Sequence, residues 1–213
     1  MTAVLVFLMF AVVEEDPGFG FAVLAPGTFH GDEVDILSGE IWSGLFRSET
    51  GVRIEPVVVT VIPAEDVVLD SEGEKTAAKV FNTGSVPFLY LYSMDDGVYL
   101  TGMVEPLLLE TELVEFGDIF PLTPGEALEG REDGLFLTRN GFEQRICSVY
   151  ENLYGEGLSI VFAGDLDGDG ITDLIVNDCA HYNIYMGYRV FLSTYAQENE
   201  LVHEVAEFTA IGC

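Results

Sequence analysis

The chain has 213 residues, of which 49% are hydrophobic and 21% charged, a balance that favours a folded core over disorder. Acidic residues outnumber basic ones 37 to 8, giving a formal net charge of -29. Such a field repels phosphate backbones and anionic lipid, which argues against nucleic-acid and membrane-surface partners, while it attracts cations and favours solubility.

In chain order, the first feature is the apolar run at residues 3–13, AVLVFLMFAVV. It is shorter than the ~20 residues a membrane-spanning helix needs. No Lys or Arg precedes it and no small-x-small cleavage site follows, so it reads as the remnant of an export signal or as a buried first strand. Residues 1–25 are therefore set apart from two β-rich regions, 26–125 and 126–213, which are expected to form one compact unit. No other segment is long enough to be a transmembrane span.

The segments between turn signals are short and rich in Val, Ile, Leu, Phe and Tyr, as in an all-β protein. Residues 41–46 read as a strand, 48–51 as a turn, and 52–62 as the returning strand, with Pro56 marking an edge or a bulge. Residues 70–74 are a loop by composition. Residues 87–92 form a strand candidate closed by Asp95-Asp96-Gly97, and 98–104 is expected to pair back on it as a hairpin. The polar, turn-rich stretch 121–134 reads as a sub-domain boundary or a long loop. A further hairpin, 134–139 with 144–150, is expected around Asn140-Gly141. Residues 158–163 and 174–176 flank an acidic loop, and 190–194 is another strand. The segment 198–208 stays open between helix and strand, because Leu201, Val205 and Phe208 have helical spacing within a β-branched context. The whole reads as mainly β: an antiparallel β-sandwich or barrel-like domain with a strand-loop-strand motif near the C-terminus.

That acidic loop is Asp165-Leu166-Asp167-Gly168-Asp169-Gly170-Ile171-Thr172-Asp173, with carboxylates at positions 1, 3, 5 and 9 and Gly at position 6. Calcium takes about six to eight oxygens, which alternate inward side chains and the carbonyl at position 7, Ile171, can supply. Gly170 permits the sharp turn. Four aspartates converging without a cation would repel one another. An EF-hand is excluded, because position 12 is Val176 rather than Glu and the flanks favour strand.

With Phe162-Ala163-Gly164 before it and Leu174-Ile175-Val176 after it, the loop resembles the strand-loop-strand calcium motif of FG-GAP and VCBS-type repeats, found also in integrin α-chain propellers. The resemblance implies a Ca2+ ion held by Asp165, Asp167, Asp169, the backbone of Ile171, and Asp173. The motif occurs once, whereas a propeller repeats its blade every ~40–50 residues. The longer C-terminal stretch, through His181-Tyr182-Asn183, residues 190–193 and 205–208, and Gly212-Cys213, is similar to uncharacterised bacterial secreted proteins carrying a single such motif.

Other chemistry finds little support in the sequence. His30, His181 and His203 form no ligand pair, and Cys147, Cys179 and Cys213 have no metal-binding spacing. Cys179 with Cys213 is the disulfide to test, with buried thiols as the alternative. No phosphate loop, nucleophile elbow or dinucleotide fingerprint occurs. Trp42 with Tyr182, Tyr185 and Tyr188 could line a sugar or peptide surface or pack in the interior. The expectation is an extracytoplasmic (periplasmic, cell-surface or secreted) protein with one structural Ca2+, acting as a binding or interaction module towards a protein or carbohydrate partner. The alternative is a secreted hydrolase with a calcium-stabilised scaffold and a carboxylate pair, which would be marked by two carboxylates of raised pKa in a pocket away from the loop.

Overall fold

The computed structural model describes residues 20–30, 33–34, 36–66, 69–95, 97–111, 113–148, 158–178 and 186–210. The apolar run at residues 3–13 and the Cys179–Cys213 pairing lie outside them. Among the described residues the secondary structure is strand and turn, arranged in four antiparallel sheets. Among the described residues none closes on itself, because the two edge strands of each sheet do not pair with one another, so the barrel-like alternative is wrong.

Strands are numbered along the chain. The first sheet has the order β1 (Phe21–Leu24), β7 (Leu89–Ser93), β3 (Ile41–Ser48), β4 (Gly51–Val58), β8 (Gly102–Val104). The second is β2 (Gly27–Phe29), β6 (Ala77–Phe81), β5 (Thr60–Ala64). The third is β17 (His203–Ala210), β16 (Met186–Leu192), β15 (Asp173–Asn177), β14 (Ser159–Gly164), β9 (Leu108–Leu109). The fourth is β10 (Ile119–Pro121), β11 (Glu126–Arg131), β12 (Gly134–Arg139), β13 (Phe142–Cys147).

The third sheet is covered on both faces, which explains its sequence. In β15, Ile175 joins a core shared with Leu45, Ile54 and Leu91 of the first sheet. Its neighbours Leu174 and Val176 join a second core, shared with Leu128, Leu135 and Leu137 of the fourth. A strand buried on both sides reads as an unbroken apolar run instead of an alternating one, as Leu-Ile-Val does here. The acidic loop joins β14 to β15 and so leaves the end of this central sheet.

Several expected elements are present. Ser48 pairs with Gly51 at the β3–β4 turn. The β12–β13 hairpin turns through Asn140 and Gly141, with φ of 52° and 84°, the pair of left-handed residues that a type I′ turn requires. Residues 203–210 are strand, so the open segment 198–208 is turn up to residue 202 and strand beyond it. Pro56 sits where β4 is uncovered, since β8 pairs only with Val52, Arg53 and Ile54.

Others differ. The run 52–62 is split at Val59 into β4 and β5, which belong to different sheets. Residues 98–104 do not pair back on β7, whose neighbours are β1 and β3. Instead the Leu100 amide donates to the Leu166 carbonyl at 2.7 Å, drawing the chain to the acidic loop before β8 joins β4. The turn-rich stretch 121–134 contains β11, whose Glu126, Leu128 and Gly130 alternate inward. An added Cβ on Gly130 would lie 2.2 Å from the Glu115 carbonyl oxygen, so glycine here permits close backbone approach within a strand.

Candidate metal centre

Asp165 follows the last residue of β14, and Asp173 is the first of β15, facing Gly164 across the ladder. The ends of the loop are thereby held together by strand pairing. Gly168 and Gly170 carry the turn at φ of 89° and 80°. An added Cβ on Gly168 would also meet Leu100 Cδ2 at 2.8 Å, because Leu100 packs under the loop.

Carboxylate oxygens of Asp165, Asp167 and Asp173 lie within 4.8 Å of one another. One ion with oxygens at about 2.3–2.6 Å spans ligands separated by up to roughly twice that distance, so a single calcium fits the spacing. Asp165 is shaped by the turn, accepting from the amides of Gly168 (2.6 Å) and Gly170 (3.0 Å). Asp173 is completely buried; it accepts from the Leu166 amide at 2.7 Å and from the Ser193 amide and hydroxyl at 2.8 and 2.9 Å. Asp167 Oδ1 accepts from the Asp169 amide at 3.2 Å, whereas its Oδ2 is buried and accepts nothing.

The cluster holds more negative charge than its donors neutralise. Burial, reinforced by Asp167, pushes the Asp173 carboxyl up to about 7 despite its bonds from Ser193 and Leu166. Burial also raises Asp167, with Asp169 and Asp165 adding to the effect and Thr194 and the Asp169 amide opposing it. Ser193 Oγ lies 2.8 Å from Asp169 Oδ2 and 2.9 Å from Asp173 Oδ1, but a hydroxyl has one hydrogen to give.

Of the five expected ligands, the structure gathers these three. Asp169 turns aside, accepting from Ser193 Oγ, from Thr194 Oγ1 at 3.1 Å and from the Ile171 amide at 2.7 Å. Ile171 is exposed at the end of the turn. Ser193 and Thr194 went unrecognised in the sequence: they follow β16 and nothing local marks them as partners of a loop some 20 residues earlier.

The centre is also braced from the fourth sheet. Arg139 donates to the Thr172 carbonyl at 3.0 Å, the Leu201 carbonyl at 3.0 Å and Glu126 Oε1 at 2.7 Å. Thr172 Oγ1 donates to Glu126 Oε2 at 2.7 Å. Gln144 is bonded to the Leu201 amide and to both backbone groups of Val202.

Elsewhere, His30 pairs with Asp66 and His203 with Glu200; His181 lies outside the described residues. Trp42 is buried against Tyr92, and Tyr188 is half-buried beside a cavity of about 180 Å³, while Tyr182 and Tyr185 lie outside the described residues. Among the described residues, two carboxylates away from the loop are raised, Asp178 and Glu204, in each case by burial first. Both face Arg189, at 3.1 and 3.6 Å, and that positive charge opposes the rise in each. Neither lines the cavity beside Tyr188.

Cys147 is a buried free thiol pushed up to about 12, chiefly by burial and then by Asp178. Since the thiolate is the nucleophile, Cys147 should resist alkylation at pH 8 in the folded protein and react once urea unfolds it. Peptide mass spectrometry after timed labelling checks this; rapid native labelling at Cys147 would refute its burial.

Compared with known proteins, the chain matches no family model, no curated protein and no solved structure. The fold and the site by themselves define a mainly β protein of several antiparallel sheets, with three aspartates gathered at the end of the central one.

Proposed function

We propose that the loop from Asp165 to Asp173 binds one Ca2+ as a structural ion, and that the chain is an extracytoplasmic interaction module of the kind that carries a single FG-GAP or VCBS-type motif. The observation that carries this reading is the convergence of three carboxylates within 4.8 Å, one of them fully buried. A hard dication coordinated by carboxylate and carbonyl oxygens matches that donor set. Asp169 and the Ile171 carbonyl complete the shell by a small rotation of the turn on loading. The extracytoplasmic setting follows from the resemblance and from the calcium supply there, and the exposed rings of Phe116 and Phe142 on an acidic surface suit an interaction role.

Isothermal titration of metal-stripped protein with CaCl2, paired with thermal melts, tests the reading. At free calcium ~100 times the dissociation constant, linkage adds about 2.7 kcal/mol to stability. Asp165→Ala should abolish both the heat and the rise in melting temperature. Wild-type protein that takes up no calcium while folded would overturn the assignment.

A further inference from the structure

β14 and β15 carry the acidic loop at one end and a row of polar side chains at the other. There Ser159 lies opposite Asn177, and Asn177 opposite Tyr188 of β16, so the three are neighbours across the third sheet. Strand alternation fixes the face they share. Ile160 and Val176 belong to the core facing the fourth sheet, which turns the adjacent Ser159 and Asn177 towards the first. Tyr188 packs against the core between the first and third sheets. On the first sheet, Arg47 lies two residues beyond Leu45 of that same core, on the same strand face. Arg47, Ser159, Asn177 and Tyr188 line a cavity of about 180 Å³.

An ion pair stands at the opening, since the side chains of Arg47 and Glu110 are both half-exposed. Arg47 donates through Nε to Glu110 Oε2 at 2.8 Å and through Nη2 to Glu110 Oε1, a two-pronged bond that leaves neither charge in excess. The guanidinium also stands 4.9 Å from the centroid of the Phe88 ring. Glu110 reaches it from a φ of 46°, a left-handed conformation uncommon in residues with a Cβ. Next along the chain, the Thr111 hydroxyl accepts from the Ile160 amide at 2.9 Å, which leaves its hydrogen for another acceptor. Asn177 Oδ1 is buried without a hydrogen-bond partner. A carbonyl oxygen left in that state is costly, and rotation about χ2, a broad torsion in asparagine, turns it towards the cavity.

We infer that this cavity binds a neutral hydroxylated molecule, a single saccharide unit being the class that fits. Three features select it. The space exceeds the share of one water in the liquid, about 30 Å³, and falls short of the about 300 Å³ at which pockets for drug-sized ligands begin. Charge selects neither an anion nor a cation, because Glu110 already engages Arg47 through both oxygens. The remaining wall mixes donors with acceptors beside the Tyr188 ring. A sugar hydroxyl both donates and accepts, and the C–H face of a sugar suits an aromatic surface. The length of β14, roughly 17 Å of strand, separates the cavity from the acidic loop, so the inference is independent of calcium binding.

Methyl glycosides of glucose, galactose, mannose and N-acetylglucosamine, titrated into isotope-labelled protein and followed by amide chemical shifts, test the inference. The expected result is saturable binding of at least one glycoside, with the amides of Thr111, Ser159, Asn177 and Tyr188 moving and those of Gly168 and Gly170 still. Asn177→Leu nearly keeps the volume and removes the amide. It should weaken that glycoside by about tenfold or more, with stability in urea equal to or above wild type because the unpartnered oxygen is gone. Ser159→Ala, a smaller change, should weaken binding in the same direction, and it serves if Asn177→Leu fails to fold. Failure of every glycoside to saturate at tens of millimolar would leave a hydrated space only and overturn the inference. Saturable shifts centred away from these residues, or folded variants that bind as tightly as wild type, would also overturn it. The titration is run with and without CaCl2, and its outcome stands whether or not wild type takes up calcium.

Discussion

Arg139→Ala should destabilise the protein by about 3–5 kcal/mol, the usual cost of removing one partner from a buried ion pair. The Glu126 side chain is 3% exposed and the Arg139 side chain 18%, so little solvent is available to replace the lost charge. Removing Arg139 strips one carboxylate oxygen of Glu126 and the carbonyls of Thr172 and Leu201 of donors at once. Thr123 and Thr172 hydroxyls remain on the other oxygen of Glu126, at 2.9 and 2.7 Å, but they are neutral. The consequence reaches beyond the pair, because Arg139 belongs to the fourth sheet while Thr172 precedes the first residue of β15. Urea unfolding of Arg139→Ala and of the double variant Glu126→Leu/Arg139→Met measures the effect. The double variant should lose much less than the single, since replacing both partners leaves no buried charge behind. A loss below about 1 kcal/mol for Arg139→Ala would place the pair in the class of exposed ion pairs.

The same network explains what sequence reasoning reached and what it missed. The β12–β13 hairpin was legible because its signal is local: Asn140 and Gly141 tolerate positive φ, and apolar residues flank them. The loop was legible for a similar reason, since carboxylate spacing and glycine positions are properties of nine consecutive residues. Strand β11 was not. Glu126-Ala127-Leu128-Glu129-Gly130-Arg131 resembles a polar turn until Arg139 and Thr172 supply the partners that let Glu126 face inward. The hairpin expected for 87–104 failed for a related reason, because the bond from Leu100 to Leu166 depends on a segment more than 60 residues away. Ser193 and Thr194 share this character. Their types are ordinary, and only the pairing of β16 with β15 brings them to the aspartates.

Metal-free protein should lose about 4 kcal/mol of stability through Asp173 as pH rises from about 4 to about 7. The figure is the roughly three-unit rise of its pKa at about 1.4 kcal/mol per unit. The sign follows from proton uptake. In the unfolded chain Asp173 has an ordinary carboxyl pKa near 3.9, whereas burial raises the folded value to about 7. Between these values the folded protein binds the proton and the unfolded chain has released it, so each increment of pH favours unfolding. The stabilisation is fully present below the unfolded value and is gone once pH has passed the folded one. Repulsion within a chain of net charge -29 has the same sign, so wild type alone would not isolate the aspartate. Asp173→Asn does, because it is neutral at every pH: in metal-stripped buffer its stability should fall less steeply over this window, and near pH 8 it should exceed wild type. Saturating calcium should reverse the order, since a dication stabilises the charged carboxylate of wild type and finds one fewer ligand charge in the variant. Parallel stability curves for the two proteins without metal would mean that the Asp173 charge is not penalised by burial. On the proposed calcium reading, a convergent cluster that is destabilising when empty and stabilising when loaded would make the fold report on the cation.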